Sequence, residues 1–486
     1  MPLLQPRRIN LPLICIIILA FILRYYHLGY QSLWLDELHT MRVSDPDIPL
    51  SQLYYYLNHS DQHPPLFFLI EKLVFMLFGQ SEITARIFPA ICGTASVWAM
   101  YLLGKELADR RLGLIAAAFT AVNAFNIQYS QEARGYIVAF FFTALSFCFF
   151  IRVLKTQHRK DNLFYALFTL LAMYSHYFGL LIPVAQAIIA LIFYFTDRVK
   201  YRNIFRLMLM TALILAGGYA LWVPSLLKLG EIKSFWIPPV KPGFFLDYFE
   251  EYFGNTHLLN ILCWGLFFYF MIRIFPGANN TKRLSDPAST GGIIIIGGIF
   301  IMLLIPYLRS VTSFPILISR YTIVVLPLVI LGVSLGAYLI PDQKISIIIT
   351  VLFLLLSLKG LQKNEYYTRI SKTQYRELTG WINANQAYSY PVINIRSPWQ
   401  HLYYTRKTSK KLEIAESDPK QLISSLIQKG RSGETHIGFW LVDAHVPGPA
   451  DNFLSPELQA LTDSNFILAK ERQFFDAWAR LYILKP

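Results

Sequence analysis

The chain of 486 residues is 55% hydrophobic and only 15% charged. This composition exceeds the apolar share of soluble domains and indicates a membrane protein with several spans. The net charge of +14 would suggest nucleic-acid binding in a soluble protein. Here the basic residues lie in short loops between apolar runs, where they orient helices in a membrane, so we expect no nucleic-acid partner. The four cysteines are far apart within apolar runs and show neither a disulfide framework nor a metal-binding spacing.

Apolar runs of sufficient length predict about eleven membrane spans. The segment 65–79 is apolar but short, and Glu71 and Lys72 interrupt it, so we expect an interfacial or re-entrant helix there. The predicted spans lie near 10–26, 86–104, 112–127, 135–151, 162–176, 177–195, 207–225, 257–275, 291–308, 320–340 and 345–361.

The distribution of lysine and arginine predicts that the N-terminus is cytoplasmic. In that orientation the short inner loops hold more basic residues than the longer outer loops. No small-residue cleavage site follows the first span, which we therefore expect to stay as an anchor. The predicted protein is a multi-pass protein of the cell (plasma or inner) membrane, with the loop 27–85 and the tail from about 362 on the outside.

The tail has the composition of a small α/β domain. The stretch "KNEYYTRISKTQYRELTGWINANQ" is polar and helix-like, and the β-like runs 391–396, 435–443 and 479–485 follow it. The predicted fold class is an α-helical polytopic membrane protein with a small C-terminal α/β domain outside the membrane. We place the transmembrane domain at 1–361, with its outer catalytic loop at 27–85, and the outer domain at 362–486.

Polar side chains gather with aromatic rings in four segments that the predicted topology places at one membrane face. Asp36 and Glu37 in the first segment are adjacent, and adjacent residues of a helix point about 100° apart, so they cannot easily share one proton. One of them is free to face a cavity while the other caps a helix or binds a basic partner; alternatively, both are ordinary surface acids. The four segments are "WLDELH" (34–39), "DQHPPLFF" (61–68), "QYSQEARGY" (128–136) and "ISRY" (318–321).

Two consecutive prolines fix the backbone of the second segment. Pro64 and Pro65 restrict the residues before them and favour the start of a helix. Asp61 and His63 would then lie at the mouth of that helix. The alternative is a simple helix-start turn without a functional role.

Two arginines are candidates for binding a phosphate through their fork of N–H donors. Arg134 is equally able to pair with Glu132 or to reach lipid headgroups, and Arg320 has the same two interpretations. Tyr136 and Tyr321 lie beside them and are either substrate-binding residues or ordinary interfacial anchors.

These motifs together resemble the bacterial integral-membrane glycosyltransferases of the C-type fold, in the dolichyl-phosphate-mannose–protein mannosyltransferase superfamily. That group includes the lipid A aminoarabinose transferases and the rhizobial lipopolysaccharide sugar transferases. The resemblance covers roughly residues 10–340 and is carried by "WLDELHT", "DQHPPLFF", "SEITARIFPAICGT" and "YSQEARGY". It implies transfer of a sugar from a polyprenyl-phosphate carrier to a lipid, glycan or protein acceptor at the outer face.

The resemblance also implies roles for individual residues. Asp36 takes the place of the catalytic base, Glu37 supports it, and Asp61 or His63 supplies a second acidic or polar group. The aminoarabinose transferases have Glu-Lys before Pro-Pro where this chain has Gln62-His63, which argues against aminoarabinose transfer to lipid A and leaves the sugar open. Some relatives use a divalent cation, for which Asp36, Glu37 and Asp61 would offer oxygen ligands, although the metal requirement is not predicted.

The chemistry of such a transfer needs one base and nearby cations. A polyprenyl-phosphate leaving group departs as an anion and needs positive charge, while the acceptor hydroxyl needs a base within hydrogen-bond reach. Direct displacement predicts inversion at the anomeric carbon. The candidate catalytic residues are Asp36, Glu37 and Asp61, and the candidate substrate-binding residues are His63, Glu132, Arg134, Tyr136, Arg320 and Tyr321.

Two other functions are compatible with a polytopic chain. A carrier or flippase of lipid-linked sugars would place polar residues near the middle of the spans, with inverted repeats or broken helices, and few charges lie mid-span here. A membrane anchor that displays the tail as a binding module would not need about eleven spans. The transferase is therefore the favoured prediction.

Overall fold

The computed structural model describes residues 10–59, 63–229, 236–274, 287–394, 403–407, 412, 414–415, 418–444 and 455–486. The chain forms two compact units. Unit 1 comprises Met1–Tyr26, Pro46–Gly79 and Arg86–Tyr367, and unit 2 comprises His27–Asp45, Gln80–Ala85 and Thr368–Pro486. Unit 2 therefore contains parts of the loop 27–85 as well as the tail, whereas the predicted boundary at 361/362 leaves that loop with the transmembrane domain. The assignment of functions to domains stays a prediction.

Helices account for most of the described residues up to residue 385. In chain order they are α1 (Leu11–Tyr25), α2 (Leu35–Val43), α3 (Leu50–His59), α4 (Leu66–Phe78), α5 (Glu82–Leu107), α6 (Arg110–Ala121), α7 (Ala124–Ser130), α8 (Tyr136–Thr156), α9 (Arg159–Ser175), α10 (Leu181–Thr196), α11 (Ile204–Tyr219), α12 (Val223–Leu229), α13 (Phe244–Tyr252), α14 (His257–Ile274), α15 (Pro287–Thr312), α16 (Leu326–Tyr338), α17 (Gln343–Lys363) and α18 (Tyr375–Asn385).

Apolar helices of membrane-spanning length confirm the predicted polytopic class. Two shorter apolar helices, α1 and α16, also lie at predicted spans, and α6 and α7 are bent by 62° and give an eighth candidate span if they count as one. The number of about eleven spans stays a prediction. Within the described ranges, seven helical stretches are long and apolar enough to cross a membrane: Glu82–Leu107, Tyr136–Thr156, Tyr177–Thr196, Ile204–Lys228, His257–Ile274, Ser289–Thr312 and Gln343–Lys363.

The short segment 65–79 forms α4, which begins at Leu66 directly after Pro65, as the two prolines predict. Its charged residues do not face outward. Glu71 and Lys72 are both buried, and the Lys72 ammonium donates hydrogen bonds to the carbonyls of Pro46 (3.1 Å) and Ile48 (2.8 Å). The lysine thus anchors α4 to the chain that precedes α3. Its interfacial or re-entrant position stays a prediction.

A buried arginine of α1 binds the bend between α6 and α7. Arg24 is 0% exposed, and its guanidinium donates to the carbonyls of Thr120 and Ala121, each at 3.0 Å, and to Oδ1 of Asn126 at 2.6 Å. The last carbonyls of a helix lack partners within that helix. One cation therefore satisfies the acceptors that the break exposes inside an apolar unit.

The tail of unit 2 contains the predicted small sheet. Its strands are β1 (Val392–Asn394), β2 (Gly438–Ala444), β3 (Phe466–Phe474) and β4 (Ala477–Leu484), in the order β1-β2-β4-β3. The pair β1 and β2 is parallel, and the pairs β2 with β4 and β3 with β4 are antiparallel. Helices α19 (Pro419–Arg431) and α20 (Pro456–Asn465) complete the fold.

The sequence predicted this domain in part. The runs 391–396, 435–443 and 479–485 correspond to β1, β2 and β4, with residues 395–396 outside the described ranges. Strand β3 was not predicted, because it is an edge strand whose residues 467–473 are exposed and which carries four charged or amide side chains in a row. Of the polar stretch 363–386, only its second half forms a helix, α18.

Arg24→Met should destabilise unit 1. Removing the guanidinium takes its hydrogen bonds from the Ala121 carbonyl and the Asn126 amide oxygen, while the Thr120 carbonyl keeps the N–H of Asn123. This should lower the free energy of unfolding by about 3 kcal/mol. Thermal unfolding of the purified chain in detergent measures this as a lower Tm. Arg309→Met is the matched control, because Arg309 is exposed and stacks on the ring of Phe314. Equal Tm values for the two variants would show that the Arg24 contacts do not hold the bend.

Candidate active site

In unit 1 the second and third polar segments meet at Arg134. The Arg134 side chain is 3% exposed, and its Nη2 donates to Nε2 of His63 over 2.8 Å. Its guanidinium carbon lies 5.9 Å from the ring centroid of Phe68 in the first turn of α4. The two prolines and the start of α4 therefore place one histidine and one aromatic ring against the arginine.

A glycine lets the turn that carries Arg134 approach a neighbouring helix. Gly135 lies between α7 and α8, and a Cβ at this position would be 2.8 Å from the carbonyl oxygen of Ser175 at the end of α9. It would also be 3.3 Å from the Cβ of Phe67. The glycine in "QEARGY" is therefore required by a close approach of backbone to backbone.

A buried histidine outside the four polar segments joins the same group. His176 lies in the turn after α9, and its Nδ1 accepts a hydrogen bond from the backbone N–H of Phe178 at 3.2 Å. Its ring centroid is 6.5 Å from that of His63 and 5.5 Å from that of Tyr136. Burial lowers the pKa of His176 well below its ordinary value, and His63, Arg134 and Arg320 lower it further, so the imidazole stays neutral at pH 7.

The fourth segment brings a second cation to this group. The guanidinium carbon of Arg320 lies 4.9 Å from the ring centroid of Trp236, 5.9 Å from that of Tyr136 and 5.7 Å from that of Tyr321. The Tyr321 ring is in turn 5.1 Å from that of His176. We call the group the basic-aromatic cluster; its members are His63, Arg134, Tyr136, His176, Arg320 and Tyr321.

The remaining substrate-binding candidate of this region is Glu132. It is buried in the turn between α7 and α8, and its backbone carbonyl accepts a hydrogen bond from the N–H of Arg134 at 2.8 Å. Glu132 therefore shapes the turn that presents Arg134. Of the cluster and its surroundings, sequence reasoning missed His176 and Trp236, because neither stands in a motif with the two arginines.

The two adjacent acids belong to unit 2 and have different environments. Asp36 and Glu37 lie in the first turn of α2. Glu37 is 0% exposed; its Oε2 pairs with the Lys372 ammonium at 3.0 Å and accepts from the backbone N–H of Trp34 at 3.5 Å. Asp36 is only partly buried. The sequence predicts that one of the two acids caps a helix or binds a basic partner, and Glu37 does both. The contact with Lys372 was not predicted, since no motif marks that residue.

The catalytic roles of these acids stay predictions. Asp61 lies outside the described residues. Within the part of the chain that the structure describes, no group of three or more histidine, cysteine, aspartate or glutamate side chains is arranged to hold a metal ion. The use of a divalent cation by Asp36, Glu37 and Asp61 is therefore also still a prediction.

Two sequence comparisons cover part of the chain. Residues 62–222 match the family described as dolichyl-phosphate-mannose-protein mannosyltransferase. This range contains His63, Arg134 and His176 but neither Asp36 nor Arg320. Dolichyl-phosphooligosaccharide-protein glycotransferase 1 of Pyrococcus horikoshii is 29% identical over 208 residues, which are 40% of this chain and 20% of that protein. The matching part thus spans only a fifth of that relative.

Solved structures share the fold over almost the whole chain. The crystal structure of ArnT from Cupriavidus metallidurans in the apo state has a TM-score of 0.58 at 11% identity and covers 96% of this chain and 97% of that chain. ArnT bound to undecaprenyl phosphate gives 0.55 at 12% identity with the same coverage. Arabinofuranosyltransferase AftD from Mycobacteria gives 0.52 at 12% identity over 99% of this chain and 42% of that chain. The chain thus has the C-type glycosyltransferase fold that its motifs predict, and its residues 62–222 are similar to the dolichyl-phosphate-mannose-protein mannosyltransferase family.

Proposed function

We propose that the chain is an inverting glycosyltransferase that moves a sugar from a polyprenyl-phosphate donor to a lipid, glycan or protein acceptor at the outer face of the membrane. The basic-aromatic cluster is the observation that carries this proposal. It concentrates two guanidinium groups, one of them 3% exposed, among aromatic rings. Guanidinium forks match phosphate oxygens in geometry and charge, and aromatic rings suit a sugar or a prenyl chain.

The proposed reaction is a single displacement. The acceptor hydroxyl oxygen attacks the anomeric carbon while the bond from that carbon to the phosphate oxygen breaks. The polyprenyl phosphate leaves with the bonding electron pair, and Asp36 takes the hydroxyl proton. Arg134 and Arg320 stabilise the negative charge that grows on the phosphate. Attack opposite the leaving group inverts the anomeric configuration.

Three further observations support parts of this proposal. A protein of the same fold, ArnT, has been solved with undecaprenyl phosphate bound, which supports a polyprenyl-phosphate donor. The excess of lysine and arginine in the predicted inner loops supports a cytoplasmic N-terminus and an outer C-terminal domain. The position before Pro-Pro holds Gln62-His63 rather than Glu-Lys, which supports a sugar other than aminoarabinose.

The ion pair of Glu37 and Lys372 has a structural part in this proposal. A buried carboxylate requires a compensating charge, and Lys372 supplies it at 3.0 Å. The pair ties the first turn of α2 to the chain before α18, so it fixes the helix on which Asp36 is carried. Glu37 and Lys372 are positioning residues in this proposal, and Asp36 is the catalytic residue.

Asp36→Asn should abolish most of the transfer. The amide cannot accept the hydroxyl proton, so kcat should fall at least about 100-fold. The assay uses membranes that contain the full chain, supplied with radiolabelled polyprenyl-phosphate mannose, glucose, galactose or aminoarabinose, and follows label bound covalently to acceptors. Asp47→Asn, at an exposed aspartate beyond α2, is the control and should retain the wild-type rate. Transfer by Asp36→Asn at that rate would refute Asp36 as the base. Movement of label across vesicles without covalent transfer would favour the flippase.

Arg134→Lys should weaken donor binding. Lysine keeps the charge but loses the fork that binds two oxygens of one phosphate, so the Kd for undecaprenyl phosphate should rise about tenfold, or roughly 1.4 kcal/mol. Microscale thermophoresis of the purified chain measures this without any transfer. Arg309→Lys, at an exposed arginine of α15, is the matched control. An unchanged Kd for Arg134→Lys would remove the phosphate role from this arginine.

Lys372→Met should destabilise unit 2, because it removes the ammonium that pairs with the buried Glu37 carboxylate. We expect a loss of about 3 kcal/mol in the free energy of unfolding, and the double variant Glu37→Gln/Lys372→Met should regain most of it. Hydrogen exchange of α2 and α18 measures the effect. Lys420→Met is the control: it breaks an exposed lysine–glutamate pair with Glu457, which should matter little. Equal protection of α2 in all four proteins would contradict the role of the pair.

A further inference from the structure

Apart from the basic-aromatic cluster, unit 1 contains a cavity where α6 ends, α14 begins and α17 ends. Its volume is about 270 Å³, near the lower end of the range of about 300–1,000 Å³ that small-molecule sites occupy. It shares no residue with the basic-aromatic cluster. We call it the Ser357 cavity; the polar side chains that line it include Asn123, Gln128, Glu251, Asn255, Ser357 and Asn364.

The charge of the Ser357 cavity excludes an anionic ligand. Among the described residues, its lining contains the Glu251 carboxylate and neither lysine nor arginine. A phosphate placed here would meet a like charge without a compensating cation. The remaining lining groups are amides, hydroxyls and apolar side chains such as Phe125 and Leu259. This mixture suits a neutral or amino-bearing ring that carries several hydroxyl groups.

One buried hydroxyl in the cavity has no protein partner. Ser357 is 5% exposed, and its Oγ makes no hydrogen bond with any described residue. Serine and threonine within a helix commonly donate to the carbonyl one turn earlier, as Thr350 of the same helix does to Ser346 at 2.8 Å. An unsatisfied buried hydroxyl costs about 1–3 kcal/mol. A hydroxyl group of a bound ring would remove that cost.

The carboxylate of the cavity connects it to the basic-aromatic cluster. Glu251 Oε1 accepts a hydrogen bond from Ser319 Oγ at 2.7 Å, and Ser319 directly precedes Arg320. Burial raises the pKa of the Glu251 carboxyl, against the opposing effect of the Ser319 hydrogen bond. The half-buried carboxylate thus has one oxygen committed to the protein, while it lines the cavity as an acceptor for hydroxyl or ammonium groups.

Aromatic rings make a second connection. The ring of Phe125, in the cavity wall, lies 4.7 Å from that of Tyr129, which lies 5.2 Å from that of Tyr136. The rings of Phe125 and Tyr129 therefore connect the Ser357 cavity to Tyr136 of the cluster that we assign to the donor phosphate. The donor sugar is joined directly to that phosphate, so it must stay in contact with the cluster. An acceptor needs only to bring its attacking hydroxyl to the anomeric carbon, so its ring can lie beyond the donor sugar, on the side of the Ser357 cavity.

We infer that the Ser357 cavity binds the terminal monosaccharide of the acceptor, as a neutral or amino sugar ring. This inference rests on the proposed sugar transfer. Glu251 would accept hydrogen bonds from ring hydroxyls, the lining amides Gln128 and Asn255 would exchange hydrogen bonds with them, and Ser357 would bind one further hydroxyl. The acceptor is then a glycan or a glycolipid rather than an unglycosylated polypeptide.

Direct binding tests the inference without any transfer. The full chain in detergent is mixed with methyl α-mannoside, methyl β-galactoside or methyl β-glucosaminide, and hydrogen exchange is followed by mass spectrometry. At least one glycoside should slow exchange in residues 122–128, 251–256 and 357–364. Ser357→Val should raise the Kd of that glycoside about tenfold. Ser334→Val, at a buried serine whose hydroxyl binds the Ile330 carbonyl of its own helix, is the matched control.

Absence of protection in the wild-type chain with all three glycosides would overturn the inference, as would an unchanged Kd for Ser357→Val. Both results are independent of Asp36→Asn, so loss of the inference and loss of the proposed transfer are separate outcomes. The KM values for the acceptor and the donor give a further test. Glu251→Gln should raise the KM for the acceptor about tenfold more than the KM for the donor, with Glu250→Gln, an exposed neighbour in α13, as control. A larger effect on the donor KM would assign the cavity to the donor sugar and overturn the inference.

Discussion

The hydrogen bonds of Arg24 to the broken end of α6 are the constraint on which the arrangement of unit 1 depends. A bend of 62° inside an apolar unit exposes helix carbonyls that lipid cannot satisfy, and Arg24 binds two of them. Because of the bend, the axis of α7 differs from that of α6 by 62°. The bend thereby places Phe125 in the wall of the Ser357 cavity and leads the chain into the turn that presents Arg134. One buried cation thus sets the geometry of both sites.

The basic-aromatic cluster and the Ser357 cavity carry side chains of opposite charge. The basic-aromatic cluster holds Arg134 and Arg320, while the Ser357 cavity holds the Glu251 carboxylate and, within the described ranges, no basic side chain. A donor phosphate would therefore favour the cluster, since in the cavity it would meet the like charge of Glu251. The hydrogen bond from Ser319 to Glu251 keeps the opposite charges at a fixed separation, because Ser319 and Arg320 are consecutive. Specificity for a glycosyl transfer would follow from this separation rather than from a single motif.

Local patterns account for what the sequence predicted. Apolar runs mark helices because lipid admits little else, and Pro64-Pro65 marks the start of α4 because proline fixes the backbone before it. Contacts between distant residues account for what it missed. The run 112–127 reads as one straight span because the donor that satisfies its bend, Arg24, comes from another helix. His176 and Trp236 join the cluster only through tertiary packing, and β3 is an exposed edge strand whose composition resembles a loop.

The adjacent acids of α2 are chemically similar, but they differ in burial and therefore in the roles that they can have. Consecutive positions on a helix point about 100° apart, so only one of Asp36 and Glu37 can enter the interior of unit 2. Glu37 does so, and its charge is compensated by Lys372 at 3.0 Å. A carboxylate engaged in this way holds α2 against the chain before α18 and therefore has a positioning role. Asp36 lies on the neighbouring face and is partly exposed, so of the two acids it is the one that an acceptor hydroxyl can reach, which is what a general base requires.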